Sequence, residues 1–111
     1  MYLPDELKER IVESICSVIP VEKIILFGSY ARGEATESSD IDLYIITEDD
    51  GVSVFSKGGL ARYSLMWLRK RKDIIVSTLD NFNLARDDFE YVEYHVAREG
   101  ITLYSAPHAQ G

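Results

Sequence analysis

The sequence predicts a small α/β domain, in which helices pack against a mixed β-sheet. Segments with apolar residues at helical spacing alternate with short runs rich in β-branched residues. Hydrophobic residues make up 46% of the chain and aromatic residues 11%, as expected for a packed core. A length of 111 residues suits one domain, which we expect to span residues 1–104 and to be followed by a frayed tail at 105–111.

The predicted elements follow one another without a linker or an internal repeat. Leu7, Ile11 and Ile15 recur four residues apart and predict a first helix, which Pro20 ends. The run at 24–27 is apolar on both faces, which predicts a central strand. In chain order, we expect a helix at 3–19, a strand at 21–27, a short helix at 29–33, a strand at 40–47, a helix at 60–71 after a break at the glycine pair 58–59, a strand at 73–78, a turn or helix start at 80–84, a helix at 87–99 and an edge strand at 101–104.

Composition excludes several classes of protein. The formal net charge of −7 disfavours non-specific binding to nucleic acid or to anionic lipid, so neither is expected as a direct partner. The single cysteine, Cys16, excludes an internal disulfide framework and a cysteine-based zinc site. No apolar run approaches the roughly 20 residues of a membrane-spanning helix, and the N-terminus lacks the features of a signal peptide. The expected compartment is therefore the cytoplasm.

Three features of the sequence predict one catalytic site. Gly28 and Ser29 stand where a strand ends and a helix opens, a place where backbone N–H groups favour phosphate. Asp40 and Asp42 lie two residues apart on one strand face, with Cβ atoms roughly 6.5–7 Å apart. Such a pair can converge on two divalent cations about 3.5–4 Å apart. Asp73 opens another strand that could lie beside them, and three carboxylates suit Mg²⁺ together with substrate phosphate.

Each of these residues also has a simpler interpretation. Ser29 alone is more often a helix N-cap, and Asp73 alone is more often a solvated strand end. Arg32 could reach a phosphate or form a surface salt bridge. Asp42 is harder to explain in this way, because aspartate is disfavoured between the apolar residues of a strand. The pattern as a whole predicts in-line attack on a nucleotide phosphate, with pyrophosphate as the leaving group.

The motif resembles a known signature. Gly28-Ser29, ten further residues and then Asp40-Ile41-Asp42 form the GS-x10-DxD pattern of the DNA polymerase β-like nucleotidyltransferase superfamily. The run Gly-Ser-Tyr-Ala-Arg-Gly, followed by Ser-Asp-Ile-Asp-Leu, resembles the minimal nucleotidyltransferases in particular. These small proteins are typically encoded beside a HEPN-domain partner as toxin–antitoxin pairs. The resemblance covers nearly the whole chain and implies the nucleotidyltransferase fold.

The resemblance implies a role for each residue of the motif. Gly28 and Ser29 would hold the triphosphate of ATP. Asp73 would help to deprotonate the acceptor hydroxyl. Two Mg²⁺ ions, or Mn²⁺ in their place, would be bound as cofactors. The metal ligands that it implies are Asp40, Asp42 and Asp73.

The resemblance also implies an activity. The chain would transfer AMP from ATP to a protein hydroxyl, a tyrosine of a HEPN ribonuclease toxin, and would silence that toxin as its antitoxin. Two alternatives remain open at this stage. The chain could be a non-catalytic antitoxin that masks its HEPN partner by binding, or it could transfer a nucleotide to a small molecule.

Overall fold

The computed structural model describes residues 1–107 and confirms the predicted fold class. Four strands form one mixed sheet in the order β3-β2-β1-β4. The elements are α1 (Asp5–Cys16), β1 (Val21–Phe27), α2 (Ser29–Arg32), β2 (Ile41–Thr47), α3 (Val54–Ser64), β3 (Lys72–Thr78), α4 (Leu79–Ala85), α5 (Val92–Glu99) and β4 (Ile101–Ser105).

The sheet is mixed because its three strand pairs differ in direction. β1 pairs antiparallel with β2 on one side and with β4 on the other, so the all-apolar strand is central as predicted. β2 and β3 run parallel, and α3 provides the crossover between them. This topology places the start of β2, the start of β3 and the end of β1 at the same edge of the molecule.

Helices cover both faces of the sheet. One core joins α1 and α3 to the face that carries Ile24 and Leu43. The other core joins α4 and α5 to the face that carries Ile25, Tyr44 and Ile46. Because side chains alternate along a strand, Asp42 lies on the same face as Tyr44.

The predicted helix at 60–71 is wrong in position. α3 begins at Val54, and Gly58 and Gly59 lie inside it instead of breaking it. Ser53 caps this helix by accepting hydrogen bonds from the backbone N–H groups of Phe55 and Ser56, a local signal that overrides the glycine pair. Residues 65–71 form turns that lead into β3.

Smaller differences concern the ends of elements. Asp40 immediately precedes β2 instead of opening it, and α5 begins at Val92 instead of residue 87. β4 extends to Ser105, and the backbone N–H of buried Ala106 donates to the carbonyl of Glu22 at 2.8 Å. The expected frayed tail therefore does not begin at residue 105, and the rest of that prediction falls on residues 108–111, outside the described part.

No helix among residues 1–107 is long and apolar enough to cross a membrane.

Candidate active site

Gly28 links the phosphate motif to the carboxylates. It ends β1 with a φ of +74°, in the left-handed region that glycine adopts most easily, and occupies the N-cap position of α2. A Cβ atom at this position would overlap the Oδ2 atom of Asp42. Glycine is therefore required both by the backbone angle and by the close approach of the Asp42 carboxylate.

The strand register brings two of the predicted carboxylates together. Asp42 on β2 is the register partner of Asp73 on β3, and on its other side it is the partner of Phe27 on β1. Register partners on neighbouring strands point to the same face of a sheet. The strand pairings thus place Asp42 between Gly28 and Asp73.

The electrostatics of Asp42 reflect this crowding. Partial burial raises the pKa of Asp42 above its ordinary value, and the negative charges of Asp73 and then Asp40 raise it further. The guanidinium of Arg32 acts in the opposite direction. Asp42 is thus influenced by both of the other predicted metal ligands and by the predicted phosphate ligand.

Asp40 is engaged elsewhere. Its Oδ1 atom lies 3.3 Å from the Nε atom of Arg71, an ion pair in which the arginine side chain is largely exposed. Among residues 1–107, no three acidic, histidine or cysteine side chains form a ready-made metal cluster. The donor set nevertheless fits Mg²⁺, which prefers carboxylate oxygens. Asp42 and Asp73 stand side by side, and the ion pair of Asp40 is an exposed one, a kind that contributes little to stability.

Ser29 has a free hydroxyl in this part of the chain. Gly28, not Ser29, takes the N-cap position of α2, so the simpler interpretation of Ser29 as an N-cap does not apply. No side-chain hydrogen bond among residues 1–107 involves the Ser29 hydroxyl, and its side chain is only partly exposed. It is therefore available to donate to a ligand.

Arg32 forms the surface ion pairs that were the alternative to a phosphate contact. Its Nε atom donates to Glu34 at 2.7 Å, and its NH1 atom donates to Glu99 at 3.0 Å. These two carboxylates raise the pKa of an already basic side chain. The guanidinium retains further N–H donors, so these contacts do not exhaust its capacity to bind phosphate.

Sequence reasoning missed Arg71, Glu34 and Glu99 as neighbours of the site. Arg71 could have been found from the parallel pairing of β2 with β3, because it precedes the register partner of Ile41. Glu99 lies 67 residues from Arg32 in the chain, and no sequence signal connects them.

The candidate site lies at the edge of the sheet where β2 and β3 begin and β1 ends. A cavity of about 420 Å³ lies elsewhere, between α1 and β4, and is lined by residues such as Lys8, Val12 and Leu103. Its walls contain none of the motif residues, so we place the chemistry at the carboxylates instead.

A mixed sheet with a glycine–serine turn facing strand carboxylates defines a nucleotidyltransferase. The nucleotidyltransferase domain family matches residues 8–97, and the chain belongs to this family.

Two candidate protein adenylyltransferases of Methanocaldococcus jannaschii are similar in sequence over short stretches. One is 63% identical over 30 residues, which cover 27% of this chain and 30% of the relative. The other is 51% identical over 37 residues, which cover 33% of this chain and 37% of the relative. Each match therefore spans only about a third of the relative's length.

Solved structures share the fold over most of the chain. A toxin–antitoxin crystallised with AMP-PNP superposes with a TM-score of 0.65 at 22% identity, covering 90% of this chain and 74% of that one. A candidate nucleotidyltransferase from Sulfolobus solfataricus gives a TM-score of 0.63 at 22% identity, covering 96% of this chain and 85% of that one. These similarities establish the nucleotidyltransferase fold.

Proposed function

We propose that this nucleotidyltransferase uses Mg²⁺ to transfer AMP from ATP to a protein hydroxyl, a tyrosine of a HEPN ribonuclease toxin, and so acts as its antitoxin. The observation that carries the proposal is the position of Asp42. Its carboxylate lies against Gly28, is the register partner of Asp73 and is influenced by the charge of Asp40. This arrangement holds negative charge where a metal–triphosphate would bind.

The relatives support the choice of nucleotide and acceptor. The two Methanocaldococcus proteins are named as candidate protein adenylyltransferases, and one structural neighbour is a toxin–antitoxin with AMP-PNP. We transfer these features to this chain as part of the proposal.

Each residue of the site has a task in the proposed reaction. The backbone at Gly28 and the hydroxyl of Ser29 bind the triphosphate, and Arg32 contributes charge from α2. The acceptor oxygen bonds to the α-phosphorus as the bond to pyrophosphate breaks, and Asp73 takes up the proton of the hydroxyl. Mg²⁺, held by Asp40, Asp42 and Asp73, would neutralise charge that develops on the phosphate oxygens.

Intact-mass spectrometry of the partner tests this proposal. The proposal expects a HEPN-domain toxin to be encoded beside this chain's gene, and that toxin is mixed with the protein, ATP and Mg²⁺. We expect the partner to gain whole AMP units, and we expect a double variant with Asp40→Ala and Asp42→Ala to lose this activity. Peptide mapping then identifies the modified residue, and modification of a residue other than tyrosine would correct that part of the proposal.

A second candidate is masking of the partner by binding alone. It is favoured by the ion pairs that occupy Asp40 and Arg32 in this structure. In that case the mass of the partner stays unchanged, and the double variant still neutralises the toxin in cells.

A further inference from the structure

Positive charge is concentrated in one segment of this acidic chain. Residues 51–72 contain half of the 12 lysine and arginine residues and no aspartate or glutamate, while the rest of the chain carries all 19 acidic residues. The segment comprises α3 and the turns that lead into β3. Its basic residues are Lys57, which is buried and paired with Asp50, and Arg62, Arg69, Lys70, Arg71 and Lys72, which are not buried.

The same segment exposes large apolar side chains. Phe55, Tyr63 and Met66 are 88%, 73% and 70% exposed, respectively. Phe55, Gly59, Arg62 and Tyr63 recur at the i, i+4, i+7 and i+8 spacing of one side of α3, and Met66 follows in the turn after the helix. We call these five residues the α3 outer face. The opposite side of the helix packs into the core through Ala61. Large apolar side chains that stand exposed together mark a surface that binds a partner.

Gly59 adds an independent observation. A Cβ atom at Gly58 would lie 3.3 Å from the Nη1 atom of Arg62, a tight contact that the arginine side chain would have to relieve by shifting. A Cβ atom at Gly59 would have nothing within 4 Å. Glycine inside a helix is destabilising relative to alanine, and no contact of the described residues requires it at this position. Glycine in the middle of an exposed face lets another backbone approach closely.

A second copy of this chain is a poor occupant for the α3 outer face. A two-fold symmetric contact would place two positively charged segments against each other. A contact between this segment and the acidic remainder of another copy would be heterologous, and such contacts tend to form open chains. RNA is disfavoured because the chain's overall charge of −7 repels a polyanion at long range. A protein whose surface carries both acidic and apolar side chains would complement the positive charge of this segment and cover its exposed apolar side chains.

The composition of the face agrees with a protein partner. Aromatic residues, methionine and arginine are enriched at protein–protein interfaces, and lysine, aspartate and glutamate are depleted. Phe55, Tyr63, Met66 and Arg62 belong to the enriched classes.

The face is continuous with the active site along the chain. The turns after α3 lead through Arg71, which contacts Asp40, directly to β3 and Asp73. A protein that binds α3 and extends along these turns therefore reaches the carboxylates.

We propose that the α3 outer face is the docking surface for the acceptor protein, which presents an apolar patch flanked by acidic residues. This inference rests on the proposed function, because it takes the occupant to be the protein that receives AMP. Docking there delivers the acceptor hydroxyl to the edge of the sheet where the three aspartates lie.

Substitutions at Gly59 test the docking surface with little risk to the fold, since the position is open and other residues favour helix more than glycine does. Calorimetry measures binding of the HEPN-domain toxin that the proposed function takes as the acceptor, without ATP or Mg²⁺. We expect Gly59→Ala to bind the toxin like the wild type. Gly59→Glu should bind it more weakly by roughly tenfold or more, because the longer side chain blocks close approach and its negative charge repels the acidic residues of the partner. Gly59→Lys, of similar bulk, should bind more tightly than Gly59→Glu. Leu84→Glu, at an exposed apolar position on α4, is the matched control and should have no effect.

The possible results separate the two proposals. Wild-type binding that Gly59→Glu leaves unchanged would overturn the docking surface alone, even if AMP transfer is observed. No binding and no AMP transfer by the wild type would overturn both the proposed function and the docking surface. Self-association that Gly59→Glu abolishes, or RNA binding that it weakens while partner binding is unchanged, would assign the face to a different occupant and overturn the inference.

Discussion

Asp42 is the residue at which the demands of folding and of the proposed chemistry conflict. Its pKa is raised in the folded protein, so its ionised form is less favourable there than in the unfolded chain. This cost to the free energy of unfolding is fully present at pH values above the pKa of Asp42 in the folded protein. It vanishes as the pH falls below 3.8, the ordinary pKa of an aspartate side chain. Functional sites commonly carry such costs, and a bound cation would offset this one.

Asp42→Asn should therefore stabilise the metal-free protein at pH 7. The gain in melting temperature should shrink steadily as the pH is lowered toward 4, because the wild-type carboxyl then becomes neutral as well. Thermal unfolding from pH 4 to 8 measures it, with Glu37→Gln on an exposed loop as a control for net charge. The same variant should lose nucleotide transfer. A melting temperature below that of the wild type across this range would show that Asp42 is not held at an electrostatic cost.

Ser29 and Gly28 should separate side-chain and backbone contributions to phosphate binding. Ser29→Ala removes a hydroxyl without a partner in the described protein, so stability should hardly change. Loss of a hydrogen bond to a charged phosphate should weaken Mg²⁺–ATP binding by about 1.5–3 kcal/mol. Gly28→Ala should be worse, because the added Cβ overlaps the Asp42 carboxylate and the φ angle is strained. Calorimetric titration with Mg²⁺–ATP measures the affinity of each variant. Wild-type affinity in both variants would show that Gly28 and Ser29 do not contribute to phosphate binding.

At the scale of elements, a buried hydrogen bond fixes α5 on the sheet beside the site. The hydroxyl of Tyr44, on β2, donates to the Oε2 atom of Glu93, on α5, at 2.7 Å, and both residues are buried. Burial, reinforced by the Glu93 carboxylate, raises the pKa of Tyr44, so the hydroxyl stays protonated and remains a donor. Tyr44 lies two residues after Asp42 on the same face, so this contact also supports the wall of the candidate site.

Tyr44→Phe should destabilise the protein by about 1–3 kcal/mol, because it leaves a buried carboxylate without its donor. Glu93→Gln retains an acceptor and should cost less. Urea unfolding compares the two variants with Tyr63→Phe, which changes the same group at an exposed position on α3. Equal stability of Tyr44→Phe and Tyr63→Phe would mean that the buried hydrogen bond contributes nothing to the attachment of α5.

The sequence predicted those elements whose signals are local. The apolar run of β1 and the alternation of β2 identified both strands, and the spacing of the glycine–serine turn and the aspartates identified the family. The error at α3 arose because a glycine pair usually ends a helix. Here Ser53 caps the helix, and the buried Lys57 is tied to the Glu48 carbonyl at 2.8 Å and to Asp50 at 2.6 Å.

The ion pairs around the site could not be predicted in the same way. Arg32 meets Glu99 only because β4 folds back beside β1 and places the end of α5 next to α2. Such contacts depend on tertiary structure, and no periodicity or motif in the chain encodes them. The roles of Gly28, Ser29 and the three aspartates remain predictions that the variants above would test.

At the scale of the whole molecule, the candidate site lies at the rim of the fold. Asp73 and Arg71 are exposed at this edge of the sheet. In-line transfer needs the attacking oxygen within about 3–3.5 Å of the phosphorus. Under the proposed function, we therefore expect the acceptor protein to supply part of the geometry, which would make its surface a component of the catalytic arrangement.

An antitoxin that acts by covalent transfer should neutralise its partner at less than one molecule per toxin, because the modification persists after the two proteins separate. With ATP and Mg²⁺, ribonuclease activity of the partner should disappear with time at an antitoxin-to-toxin ratio far below one. Without ATP, or with the variant carrying Asp40→Ala and Asp42→Ala, inhibition should require at least one antitoxin per toxin. A ribonuclease assay over a range of ratios, with and without ATP, measures both regimes. Equal molar requirements in the presence and absence of ATP would favour masking by binding, since inhibition would then follow occupancy of the partner and not turnover.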